Sequence, residues 1–474
     1  MILPKDSIIN NPLNNLLGVF YPNFLLLNNN GYNPQKMFGD LFTDTLTYSA
    51  TEIHERIHWG QFVGTSWGNL CLKLNQCQAD KFINASVYTD LIRILEDLKN
   101  IKISDNYQIS RNDVNDDNYS SMVFLQNWID GMLAQSFFMV GGAKFKQFDC
   151  LKQSIAVALC DQFTTSCEYF GVEDSRLVSE LDELFTFNDF SISDNYQGGV
   201  LSTKDLFEGQ ARASELVYLF NFTDVADKMD SIENFNKLIN SLSQNSPYWI
   251  AFNYFLHITN ERFSSLKEFS HSLAKFCLLV DISFATPWPP FVSADSIGNL
   301  SWDDFYPTNR FSKACLSFKR ININFNANDP NEHLKFVDDI CSYLDWDTPS
   351  NMAKSYLGFT KKKNKLFSKD WENGNTLQGY AVNDYYTYVT TKFCELRTKI
   401  PTYIPNLGFS CIGDVALDTI SLLWSDNNAE WILPPLQLKG EDKKLFTPIR
   451  EDRKNCFQWL SSLLIHNSIL NDFV

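Results

Sequence analysis

Histidine is scarce in this chain, six in 474 residues, and two of the six stand four apart in Thr51-Glu-Ile-His-Glu-Arg-Ile-His-Trp-Gly-Gln61. That spacing constrains the local fold. On an α-helix, positions four apart differ by about 40° around the axis and one turn along it, so the imidazoles of His54 and His58 reach one point from one face. Glu55 lies about 100° round from His54, beside such a point, where its carboxylate can hold a water bound to a metal ion. The segment therefore reads as the middle of a long helix, starting near Asp40 or Thr43 and running to about Leu74.

A chain of this length exceeds one ordinary core, and two domains, or three, are expected. Hydrophobic residues make up 44% and charged residues 20%, enough burial for most of the chain to fold. Aromatics reach 15%, led by 39 Phe, which points to bulky helix-on-helix packing. The formal charge of -16 repels phosphate backbones, so nucleic acid is not an expected partner. The densest basic run, Lys361, Lys362, Lys363 and Lys365, reads as a solvated turn or helix end. Eleven cysteines without a CxxC pair, and no secretion signal, suggest reduced thiols buried as core residues in a cytoplasmic setting. The most apolar long stretch, Met122 to Gly142, is interrupted by Gln126, Asn127, Asp130 and Gln135; it reads as a buried amphipathic helix, and no membrane span is expected.

Residues Val19 to Leu27 read as a strand, followed by an Asn-rich turn at Asn28 to Asn30. Helices are expected over Asp80 to Lys99, Ser120 to Val140 and Leu151 to Tyr169, with polar loops at Ile103 to Ser120 and Phe187 to Gly199. A helix starts at Ser202 or Thr203 with Asp205 in its first turn. Others cover Ile232 to Leu242, Pro247 to Asn260 and Leu266 to Val280. The run Thr286-Pro-Trp-Pro-Pro-Phe291 cannot continue a helix, because proline lacks the amide donor and clashes with the preceding turn. A boundary there divides the chain into residues 1–285, carrying the histidine pair, and residues 286–474, a mixed, mostly helical region suited to substrate or partner binding. Helices follow at Asn331 to Leu344, Ala381 to Thr398 and Asp452 to Leu470, with an irregular stretch from Pro401 to Gly440. The fold class is mainly α (α+β), with a small N-terminal β element.

A zinc hydrolase needs a third protein ligand and an open coordination position. No third histidine follows at the spacing HExxHxxGxxH, so the metzincin pattern is absent. The segment Phe207-Glu-Gly-Gln-Ala-Arg-Ala-Ser-Glu215 places Glu208, Arg212 and Glu215 along one helical face, and Gly209, Ala211 and Ala213 keep that helix slim enough for close approach. In one reading Glu208 ligates the metal and Glu215 accepts a hydrogen bond from a ligating histidine. In the other, Arg212 pairs with both glutamates in a surface ladder.

HExxHxxQ followed downstream by EGxAxxxE resembles the gluzincin type of zinc metallopeptidase. His54, Glu55, His58 and Gln61 match the first element; Glu208, Gly209, Ala211 and Glu215 match the second. The resemblance covers these two segments and implies a zincin-like domain in which His54, His58 and Glu208 hold Zn2+ and Glu55 is the general base of peptide-bond hydrolysis. Gln61 and Thr65 share the histidine face and either line the groove or pack within the fold. For the oxyanion donor, Arg212, Tyr254 and His257 are alternatives, although His257, in the apolar segment Trp249 to His257, reads as a core residue. The expected substrate is a protein or peptide, and an intracellular peptidase implies narrow specificity or a trigger, as in a bacterial defence or toxin-type effector. His333 and His466 receive no role, and the oligomeric state stays open.

Two rival readings use the same chain differently. Glu55-x-x-His58 is also the spacing of carboxylate-bridged di-iron helices, and a second such pair occurs at Glu268 and His271, with Glu168, Glu208 and Glu215 available to complete a set. The zinc site could alternatively be structural, within a non-catalytic protein-interaction module.

Overall fold

The helix that carries both histidines, α1, spans Leu41–Gly64. In the computed structural model the described residues are 18–21, 26–29, 41–71, 201–220, 232–242, 247–288, 290–292, 301–321, 323, 325–363, 390–391, 393–402, 405, 424–427 and 430–432. The helices expected over Asp80 to Lys99, Ser120 to Val140, Leu151 to Tyr169 and Asp452 to Leu470 lie outside them, as do both polar loops, Glu168 and His466.

The described part is mostly helical. After α1 come α2 (Thr203–Phe220), α3 (Ile232–Leu242), α4 (Pro247–Thr259), α5 (Leu266–Phe284), α6 (Trp302–Phe305), α7 (Pro307–Ile321), α8 (Pro330–Leu344) and α9 (Pro349–Lys363). Lys361, Lys362 and Lys363 close the last turn of α9. No helix among the described residues is long and apolar enough to cross a membrane.

Local chemistry accounts for the helix ends. At the start of α2, Asp205 Oδ2 accepts from the Ser202 amide at 2.8 Å and the Ser202 hydroxyl accepts from the Asp205 amide at 3.2 Å, a reciprocal cap that satisfies two orphan donors. Helix α5 opens with Ser265 as N-cap and with Glu268 accepting from the Ser264 amide at 2.7 Å. It closes at Ala285, whose amide donates to Ile282, directly before the proline run. Helix α8 starts on Asp329 and Pro330 and ends at Asp345 in the left-handed region, φ 56°.

The expected single helix to Leu74 is interrupted. It bends at Thr65 and resumes over residues 66–71. The Thr65 hydroxyl donates to the Gln61 carbonyl at 2.6 Å and accepts from the Gly68 amide at 2.9 Å. A side chain at Gly68 does not fit this bend, since its Cβ would collide with the Gln61 backbone carbonyl. At Gly64 a Cβ would run into the Phe393 ring, which would have to move. The Arg397 guanidinium donates to the freed Gly64 carbonyl at 2.9 Å and pairs with Asp281 on α5, both side chains only 1% exposed. From the same bend, the Ser66 hydroxyl donates to the carbonyls of Phe284 and Thr286.

Helix α2 is the centre of the assembly, packing on α1, α4 and α5. Phe276 on α5 meets Phe252 on α4 and Phe311 on α7 edge-on, with ring centroids 5.4 and 5.8 Å apart, the geometry that aromatic quadrupoles favour. Gly209 lets α2 close on α4 and α5, where its Cβ would meet Phe276 at 3.1 Å and Ala251 at 3.4 Å. The proline turn is buried through Phe291 and Val292 against Met352, Ala353, Tyr356 and Leu357 of α9. Beyond it, α7 packs on α4 and α5.

The segment expected as one strand is two, β1 (Gly18–Tyr21) and β2 (Leu26–Asn29), paired antiparallel with Gly18 opposite Asn29. Asn28 and Asn29 belong to β2 instead of a turn. Within the stretch read as irregular, β3 (Trp424–Asn427) and β4 (Glu430–Ile432) form an antiparallel pair, and β3 lies parallel to β2 with Leu26 opposite Trp424. The strand order is β1-β2-β3-β4, and β1 and β2 also contact α1.

Candidate metal centre

Helices α1 and α2 meet along the faces that carry the charged residues. His54 and His58, one turn apart on α1, are joined by Glu208 from the first turns of α2. Glu208 Oε2 lies 3.4 Å from His54 Nε2 and 3.5 Å from His58 Nε2, and the two Nε2 atoms are 3.2 Å apart. Among the described residues these three form the group whose ligand atoms all fall within 4.8 Å of one another. Their side chains are mostly covered, 12% exposed for each histidine and 23% for Glu208.

Each histidine is held from behind. His54 Nδ1 faces Glu215 Oε2 at 3.3 Å, and a carboxylate there makes Nδ1 the protonated nitrogen. His58 Nδ1 faces Gln61 Oε1 at 2.9 Å. Both rings therefore turn their Nε2 atoms toward Glu208. Arg212 pairs with Glu215, while the Glu208 carboxylate turns to the histidines, so Arg212 does not bridge both glutamates in a surface ladder.

Burial lowers the proton affinity of His54, but hydrogen bonds to Glu208 and Glu215 and the charge of Glu55 outweigh it, and its pKa is pushed up to about 9. Burial raises Glu208, and the His58 and His54 charges overcome this and hold it well below the usual carboxylate range. Glu215 is depressed in the same way, against burial, by His54 and Arg212. Glu55 is buried, 6% exposed, and its charge acts on both His54 and Tyr248.

Tyr248, in the first turn of α4, was not singled out from sequence. Its ring stands edge-on to His54 with centroids 5.7 Å apart. Burial raises its phenol pKa, and Glu208, Glu55 and Glu215 add to the rise, so the hydroxyl keeps its proton and remains a donor. Nothing in the apolar stretch Pro-Tyr-Trp-Ile-Ala-Phe marks this tyrosine apart from its neighbours.

Other expectations fall elsewhere. The Tyr254 hydroxyl donates to Ser312 on α7 at 2.8 Å. His257 is exposed, not a core residue; the buried face of α4 runs through Ala251, Phe252, Tyr254 and Phe255, and the uniformly apolar composition hid that phase. Thr65 serves the bend in α1. His333 is a core histidine, stacked on Phe325 with its Nε2 2.8 Å from the Ala327 carbonyl. Glu268 is exposed and closes the N-terminus of α5, so the second ExxH pair is not in the metal group. Cys71, Cys277, Cys315, Cys341 and Cys394 are buried free thiols.

Two imidazole nitrogens and one carboxylate oxygen, with the far side of each histidine anchored, are a donor set that could hold a metal ion. Comparison with known protein families, curated proteins and solved structures finds no match.

Proposed function

We propose that this chain is a zinc-dependent hydrolase of the gluzincin-like type, acting on a peptide bond. One observation carries the reading: both Nδ1 atoms face acceptors, Glu215 and Gln61, while both Nε2 atoms converge with Glu208. Such convergence of electron pairs asks for a cation between them. The mainly α frame with a small N-terminal β element suits a zincin-like domain, and Glu55, directly after the first ligand, suits the general base of such a centre.

His54, His58 and Glu208 would hold a zinc ion, which would supply Lewis acidity toward a carbonyl and toward the attacking water. Glu55 takes the proton of the attacking water and delivers it to the leaving amine. Tyr248 donates its hydroxyl proton in a hydrogen bond to the developing oxyanion, a role that only a protonated phenol performs. Glu215 and Gln61 hold the two imidazoles in place throughout. The substrate class follows from the motif resemblance, and a dedicated intracellular effector of defence or toxin type, cleaving one protein, is the form we favour.

The test is metal analysis combined with a Glu55→Gln variant. A single zinc per chain, retained in Glu55→Gln while hydrolysis of protein substrates is lost, supports the reading. About two irons per chain would replace it with the di-iron centre. Zinc retention with unchanged biological activity in Glu55→Gln would make the chain an interaction module. Broad degradation of a cell lysate by the wild type would argue against a dedicated effector.

A further inference from the structure

Behind His58 lies a row of hydrogen bonds whose direction can be deduced. Gln61 Oε1 faces His58 Nδ1 at 2.9 Å, and Gln61 Nε2 lies 3.0 Å from the Phe207 carbonyl and 2.8 Å from Gln210 Oε1. Gln210 Nε2 in turn lies 2.8 Å from the Cys277 carbonyl on α5. Both glutamines are fully buried, where an amide placed the wrong way round leaves groups unsatisfied at about 1–3 kcal/mol each.

The two ends of the row are backbone carbonyls, which only accept. The Cys277 carbonyl therefore demands the nitrogen of Gln210 and leaves its oxygen facing Gln61. That oxygen and the Phe207 carbonyl together take both amide hydrogens of Gln61. The Gln61 oxygen is left for His58, whose Nδ1 must then carry the hydrogen. The neutral ring is thereby confined to one tautomer, with the Nε2 electron pair aimed at Glu208 and His54.

We propose that Gln210 is a positioning residue for His58: together with the Phe207 carbonyl it takes the two amide hydrogens of Gln61, and so fixes the Nδ1–H tautomer that presents Nε2 for ligation. Gln210 occupies an unspecified position of the EGxAxxxE segment, and it touches no ligand itself. The inference rests on the metal reading above, and it adds that Gln210, held on the Cys277 carbonyl of α5 and separated from His58 by Gln61, contributes to the affinity of the centre.

The experiment measures the ring 15N shifts of His58 in the metal-free full-length protein, together with zinc affinity by chelator competition, for wild type and Gln210→Met. Support is an Nδ1–H tautomer in the wild type, a rise in the Nε2–H form in Gln210→Met, and zinc binding weakened roughly tenfold or more. A merely structural role for Gln210 would lower the melting temperature and leave the tautomer unchanged, which overturns the proposal. An Nε2–H tautomer in the wild type overturns it without any variant. Should Gln210→Met not fold, Gln61→Met reads the same link one step nearer the ring, with the same outcomes. A wild type that binds no zinc at all removes the metal reading and this inference with it, a pattern distinct from intact zinc binding with an unaltered tautomer.

Discussion

The Nε2 atoms of His54 and His58 lie 3.2 Å apart, and neither ring has its other nitrogen free to exchange roles. Two ring electron pairs at that separation repel unless something positive lies between them. In the metal-free protein a proton on His54 serves, supported by Glu208 and Glu215. A metal ion bound as proposed would compete with that proton for one place, with consequences for pH.

In the metal-free protein the ordinary His54 value of 6.5 rises to about 9, the pull of the carboxylates exceeding burial. A raised folded pKa contributes stability that is complete below the unfolded value and lost as pH climbs through the folded one. Glu208 and Glu215 are depressed from 4.5, despite burial, by the histidines and Arg212. Their contribution is present above 4.5 and lost as pH falls through their folded values. The cluster should therefore stabilise the metal-free protein most between pH 4.5 and 6.5. Thermal melts in chelator should show the wild type losing its advantage over His54→Gln between pH 6.5 and about 9. A constant difference across that range sinks the idea.

Glu215 joins His54 to Arg212, one carboxylate oxygen to each. Glu215→Ala should weaken zinc binding by roughly 10–100-fold, since the His54 ring loses the acceptor that orients it. Arg212→Ala should have a smaller effect in the same direction, because its guanidinium is one-third exposed and screened. Chelator competition on the two variants checks the order, and equal affinities in Glu215→Ala and wild type would refute it.

The sequence carried most where one local rule suffices. The four-residue spacing of His54 and His58, the Ser202–Asp205 cap and the helix Ile232–Leu242 all follow from neighbours along the chain. It carried least where partners are remote. Asp281 meets Arg397 across 116 residues, β2 meets β3 from opposite ends of the chain, and Tyr248 reaches the metal group only because α4 packs on α2. Helices α7 and α9 are not among the expected elements, although Pro307 and Pro349 stand at their first positions, a start signal legible in the sequence.

Tyr248 should matter for turnover and not for metal. Burial and the charges of Glu208, Glu55 and Glu215 raise its phenol pKa, and its ring stands edge-on to His54. Tyr248→Phe should retain zinc and lower kcat by about 10²–10³-fold, the loss associated with one oxyanion donor. Metal content and single-turnover rates on a cleaved protein decide it. Loss of zinc in Tyr248→Phe would mean that the tyrosine supports the ligands instead of the reaction.

The frame around the centre depends on a different pair. Arg397 and Asp281 are both 1% exposed, and Arg397 also donates to the carbonyl freed where α1 bends at Gly64. Burial raises the Asp281 pKa and the arginine opposes it. Arg397→Leu leaves that carboxylate buried without its counter-charge and the Gly64 carbonyl without its donor, at a cost of about 3–5 kcal/mol. Asp281→Leu combined with Arg397→Leu removes both charges and should recover a large part of the loss. Urea melts of the two variants test this, and a double variant no more stable than Arg397→Leu would show that the guanidinium acts through the Gly64 carbonyl and not through the ion pair.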